Sequence, residues 1–126
     1  MTKRIAVAGS KYYEDYAEAK HYIEYCTEHI KDENTLIFAV CGCGGTEMLA
    51  ERYANENGYK LERYPTIWET YGTAGGAVRN KQMINSSDLI ICFWDGTIGE
   101  ICSMTIYAEQ IGKEVRTLRV NINPHM

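Results

Sequence analysis

Asp88-Leu89-Ile90-Ile91-Cys92-Phe93, running into Trp94-Asp95-Gly96-Thr97-Ile98-Gly99-Glu100, is the stretch that decides the fold of this 126-residue chain. The apolar run is unbroken, lacks the polar alternation of a half-solvated strand and ends at an Asp-Gly turn, so it reads as a strand covered on both faces. Strands of that kind belong to parallel sheets, which need crossover connections. The sequence supplies them: strand-like Arg4 to Ala8, Leu36 to Val40, Lys60 to Tyr64, Leu89 to Phe93 and Val115 to Val120 alternate with helix-like segments. The expected architecture is α/β, a doubly wound, mainly parallel five-stranded sheet with helices on both faces. It forms one domain over residues 1–120, with 121–126 as a C-terminal tail containing Pro124.

The spacing predicts helices over Tyr13 to Ile30, Thr46 to Asn57, Gly75 to Asn85 and Gly99 to Ile111, with Gly58 and Gly112 as C-terminal caps. Tyr16, Ala19, Ile23, Cys26 and Ile30 form a core stripe on the first; Ile101, Met104, Ala108 and Ile111 form one on the last. Tyr22, Tyr25 and His29 add an adjoining stripe on the first helix. It suits either a tyrosine rim around the core or contact with another subunit, which raises the expectation of a homodimer or higher homo-oligomer.

Composition removes several function classes. The net charge of −4 argues against a long nucleic acid as partner, since such binding rests on clustered Lys and Arg. No apolar run approaches the roughly 20 residues of a membrane span, and Met1-Thr2-Lys3-Arg4 leads into a short core strand rather than a secretory signal, so a cytoplasmic protein is expected. The five cysteines are scattered and odd in number, as suits reduced thiols. Cys41-x-Cys43 and the isolated His21, His29 and His125 fit no zinc spacing, so no metal and no cofactor are expected.

Right-handed crossovers place every strand-to-helix loop on one edge of such a sheet, where open parallel sheets bind ligands. Those loops hold the glycines and the reactive side chains. Gly72-Thr73-Ala74-Gly75-Gly76-Ala77-Val78-Arg79-Asn80 runs small residues into a helix start. There Gly75 and Gly76 admit close approach, unpaired N–H groups and the helix dipole favour an anion, and Arg79 can grip phosphate oxygens bidentately beside Asn80. Gly42, Gly44, Gly45, Thr46 and Glu47 form a second such turn. Glu47 stands near the position where a P-loop would have its lysine, so this turn suits the sugar side of a ligand, or else Thr46 and Glu47 simply cap the helix. Gly9, Ser10 and Lys11 can add a hydroxyl and a positive charge.

Trp68, Tyr71 and Trp94 offer aromatic faces on which a base can stack, or else Trp68 plugs the sheet edge. Asp95, Gly96 and Thr97 follow the decisive strand. If the chain is an enzyme, Asp95 and Glu100 are its candidate catalytic carboxylates, because a glycosidic bond to ribose breaks through an oxocarbenium-like state that a carboxylate can stabilise or trap. Cys43 lacks a histidine partner in the sequence and reads as a small buried hydrophobe.

Taken in order, Val7-Ala8-Gly9-Ser10, Cys41-Gly42-Cys43-Gly44-Gly45-Thr46-Glu47-Met48-Leu49-Ala50, Tyr64-Pro65-Thr66-Ile67-Trp68, Tyr71-Gly72-Thr73-Ala74-Gly75 and Arg79-Asn80-Lys81-Gln82-Met83 resemble the YspA-like branch of the SLOG superfamily over about Arg4 to Val120. The resemblance implies a Rossmann-like fold and a role in sensing or processing nucleotide-derived ligands. It matches Gly9 and Ser10 to the first ligand loop, Gly45 and Glu47 to the second, and Arg79 and Asn80 to the third. Phosphoribohydrolase relatives carry P-G-G-x-G-T-x-x-E where this chain has Trp94-Asp95-Gly96-Thr97-Ile98-Gly99-Glu100, without the proline and the glycine pair. The same segment is similar to nucleoside deoxyribosyltransferases, whose catalytic glutamate starts a helix after a comparable strand. The leading expectation is a binding or sequestering protein for a small nucleotide-derived ligand, ADP-ribose-like or a cyclic nucleotide signal, in the manner of a phage sponge. An N-glycosidase and an oligomeric module with a vestigial pocket are the alternatives.

Overall fold

The computed structural model of the protein describes residues 1–41, 44–64 and 75–122, with only the backbone described at 75–77 and at Glu100. In chain order the elements are β1 (Thr2–Gly9), α1 (Tyr16–Thr27), β2 (Thr35–Val40), α2 (Gly45–Glu56), β3 (Lys60–Arg63), α3 (Gly75–Asn85), β4 (Leu89–Trp94), α4 (Glu100–Gln110) and β5 (Glu114–Arg119). All five strands are parallel, in the order β3-β2-β1-β4-β5, which makes the fold Rossmann-like. Every expected strand forms, and where a mainly parallel sheet was expected every pairing is parallel.

Alternation along the strands sorts the core into two layers. Ile5, Val7, Phe38, Val40, Ile91 and Phe93 point to one face, under Ala19, Ile23 and Cys26 of α1 and Ala50, Tyr53 and Ala54 of α2. Ala6, Ala8, Ala39, Ile90 and Cys92 point to the other, under Met83 and Ile84 of α3 and Met104 and Ala108 of α4. Aromatic rings fill the first layer: Tyr13 stacks on Phe93 at 5.2 Å between centroids, and Phe38 meets Tyr53 edge-on at 5.6 Å. The second layer is lined by smaller side chains, leaving room for the methionines.

Several helix boundaries differ from the sequence reading, among them the end of the first helix, at Thr27 rather than Ile30. The first helix starts at Tyr16 rather than Tyr13, because the Asp15 carboxylate accepts the Glu18 N–H at 3.0 Å and caps it there. Tyr13 is instead buried beneath the helix, its hydroxyl donating to Glu18 at 2.6 Å. The last helix ends at Gln110, so Ile111 is its C-cap and stands exposed rather than in the core stripe. Of the second tyrosine stripe, Tyr22 packs edge-on against Phe93 while Tyr25 is exposed. No helix among the described residues is long and apolar enough to cross a membrane.

Candidate functional site

The chain steps from β1 to β3 on one side of the sheet and then returns to place β4 against the other side of β1. Connections above β1 and β4 therefore diverge, and a crevice opens at their C-terminal ends. A cleft of about 310 Å³ lies there, within the size range of small-molecule sites. Gly9, Ser10 and Lys11 reach it from β1, Cys41 from β2, Asp95 and Thr97 from β4, Glu47 from α2, Arg79 from α3, and Gly99, Ile101 and Met104 from α4.

Close backbone packing builds the floor. Ser10 donates its N–H to the Phe93 carbonyl at 3.0 Å, and its own carbonyl accepts both the Thr46 N–H at 3.1 Å and the Thr46 hydroxyl at 2.8 Å. These bonds tie β1, β4 and the first turn of α2 together. A Cβ on Gly9 would lie 2.6 Å from Thr46 Oγ1 and collide with the Phe93 carbonyl. Gly45, at φ +31°, sits so close to the Ser10 and Lys11 backbone that a side chain would overlap it. These glycines bring the two loops into contact, so Gly44, Gly45 and Thr46 support the cleft from behind instead of lining it.

Charged side chains of both signs line the walls. Arg79 is only 6% exposed, and its Nε–H donates to Asn80 Oδ1 at 3.2 Å, an oxygen that also accepts the Cys41 thiol at 3.6 Å. Glu47, also 6% exposed, comes from α2 on the opposite face of the sheet. Its charge, after burial itself, helps push the Cys92 thiol up to about 12. Asp95 Oδ1 accepts the Thr97 N–H at 3.0 Å and the Thr97 hydroxyl at 2.7 Å. Those bonds, with a contribution from the Ser10 hydroxyl, hold the Asp95 carboxyl below the usual carboxylate range, so it is an ionised acceptor at neutral pH.

Helix ends complete the electrostatics. α2 begins after Gly44 and α4 after Gly99, neither with a side-chain cap, and both begin beside the cleft. Their N-terminal dipole ends favour negative charge there.

Of the residues singled out by sequence, Gly9, Ser10, Lys11, Glu47, Arg79, Asp95 and Thr97 meet at the cleft, and Asn80 stands directly behind it. Trp94 is a correction. Its indole N–H donates to the Thr97 carbonyl at 2.7 Å, the Arg119 guanidinium lies over its ring, and it lines a separate depression with Cys102 and Thr117. As the last residue of β4 it points away from Asp95, so it braces the loop rather than offering a stacking face in the cleft. Gly96 likewise faces Arg119. Glu100 opens α4 and Gly75 and Gly76 open α3, with no side chain described at Glu100, while Gly42, Cys43, Trp68 and Tyr71 lie outside the described residues. Sequence reasoning missed Tyr12, Cys41, Ile101 and Met104 as lining residues; the last two sit on the inward stripe of α4, one and four residues after its first, which was the available signal. Neither a scan of protein-family models nor a search of curated proteins returns a match for this chain.

Proposed function

We propose that this chain is a SLOG-type binding protein that captures a small nucleotide-derived ligand in the cleft at the ends of β1 and β4. The observation that carries the reading is the Arg79 guanidinium, almost wholly buried yet lining an open cleft that two helix starts without side-chain caps adjoin. A guanidinium at the wall of a cleft can meet two oxygens of one phosphate in bidentate geometry. Lys11 adds a second cation at the rim. We read this capture as sequestration or delivery of the ligand, in the cytoplasm and as a homo-oligomer in keeping with the SLOG resemblance.

Incubating the purified protein with a nucleotide extract, separating it by gel filtration and identifying what it retains by mass spectrometry tests this reading. An unchanged phosphate-bearing ligand, lost in Arg79→Ala, is expected. Released free base would replace capture by N-glycosidic cleavage, and an empty protein would overturn the reading.

A further inference from the structure

Two successive tyrosines follow β1 and meet opposite surroundings. Tyr13 is buried, stacked on Phe93 and hydrogen-bonded to Glu18, whereas Tyr12 is 58% exposed and lines the cleft. The backbone that carries Tyr12 is pinned on both sides. Its own N–H donates to Ser10 Oγ at 3.2 Å, and the Tyr13 N–H reaches the Ser10 carbonyl at 3.4 Å, with Tyr13 anchored in the core. The Lys11 ammonium lies 5.1 Å from the centre of the Tyr12 ring, a cation–π contact, and more than half of the residue still meets solvent. A tyrosine ring at the wall of a cleft, on backbone held in this way, is a platform set in place before any ligand arrives.

The other lining residues indicate what such a platform meets. Ile101 and Met104 of α4 give the same cleft an apolar wall beside its charged groups. A phosphate gains nothing from a tyrosine ring and two aliphatic side chains, whereas a planar base stacks on the one and buries its face against the others. Resting on the phosphate-binding reading above, we infer that Tyr12 stacks on the base of the bound nucleotide, supplying the aromatic face that Trp94 turns away from the cleft. Lys11, its neighbour in the chain, brings a cation to the same corner of the site. Every base has a π-face, so stacking of this kind selects for the presence of a base and tolerates its identity.

Calorimetric titration with ADP-ribose, adenosine and uridine 5′-monophosphates and the base-free ribose 5-phosphate tests the inference on the parent, Tyr12→Ala and Tyr12→Phe. Tyr12 belongs to neither core layer, so truncating it leaves the fold in place. Tyr12→Ala is expected to weaken each base-bearing ligand about tenfold, as loss of one stacked base does, and to leave ribose 5-phosphate unchanged. Tyr12→Phe keeps the ring and should bind like the parent. Arg79→Ala, by contrast, should weaken ribose 5-phosphate along with the rest. Parental affinity in Tyr12→Ala, an equal loss for ribose 5-phosphate, or a loss in Tyr12→Phe as large as in Tyr12→Ala overturns the stacking assignment; the Arg79 effect, if retained, then leaves the phosphate reading standing. Binding by none of the four ligands overturns both.

Discussion

The Thr46 hydroxyl donates to the Ser10 carbonyl at 2.8 Å, and this bond, spanning 36 positions of the chain, locks the start of α2 onto the end of β1. Both residues are buried, and the Thr46 N–H reaches the same carbonyl. Two loops that carry candidate ligand contacts are thus parts of one rigid floor. Pre-organisation of this kind spares a ligand the entropy of ordering its own receptor.

Gly9 is the residue that permits that floor. Gly9→Ala introduces a Cβ against Thr46 Oγ1 and the Phe93 carbonyl, and the backbone on that side cannot yield as a flexible side chain would. Overpacking of this kind should cost about 1–3 kcal/mol, read as a lower urea midpoint with unchanged slope. Parental stability in the alanine variant would show that β1, β4 and α2 are less tightly apposed than described.

Arg79→Ala should weaken ligand binding by about 1.5–3 kcal/mol, the value of a charged hydrogen bond, measured calorimetrically on whichever nucleotide is retained. Arg79→Lys keeps the charge and loses the planar fork, so it should recover only part of that affinity. Full affinity in the alanine variant would remove the guanidinium from the site.

Acid stability has a local contribution at the far edge of the sheet. The Arg4 guanidinium, hydrogen-bonded to the Glu62 carboxylate at 2.5 Å, holds that carboxyl below its usual range. A carboxyl whose pKa is depressed on folding stabilises fully above its unfolded value near ~4.3 and loses that contribution as pH falls through the lower folded value. Partial exposure screens the pair, so it contributes under about 1 kcal/mol. Stability curves of the parent and Glu62→Gln should differ at neutral pH and converge in acid; a constant offset down to the lowest pH would assign the effect to packing instead.

Burial, reinforced by the Glu47 charge, pushes the Cys92 thiol up to about 12, and its side chain is fully enclosed. Alkylation by iodoacetamide at mildly alkaline pH should therefore reach Cys92 only as fast as the chain unfolds globally. Peptide mass spectrometry across a urea series reads this directly. Rapid labelling in the absence of denaturant would contradict the packing of β4 beneath α3 and α4.

Much of the fold was legible because the signals are local. Leu89 to Phe93 announces a strand covered on both faces, and Ala19, Ile23 and Cys26 recur at helical spacing. The early part of α1 misled because apolar spacing continues through Tyr13. Asp15 followed three residues later by Glu18 is a capping pattern that places the start correctly. Within the site, Arg79, Glu47 and Asp95 stood out as charged residues next to glycine-rich turns. Trp94 was misplaced because alternation along β4 sets its side chain on the flank with Arg119 and Thr117, and a one-residue difference reverses the facing direction.

The sequence by itself determined which segments become strands and helices, that the strands would be buried on both faces, and that the glycine-rich turns would gather at one edge, because periodicity and turn chemistry act between near neighbours. Only the tertiary structure decided that β4 settles against β1, bringing Ser10 and Asp95 to one crevice with Glu47 and Arg79 reaching it from opposite faces. Strand order is set by pairing between segments far apart in the chain, and no local pattern encodes which partner a buried strand takes.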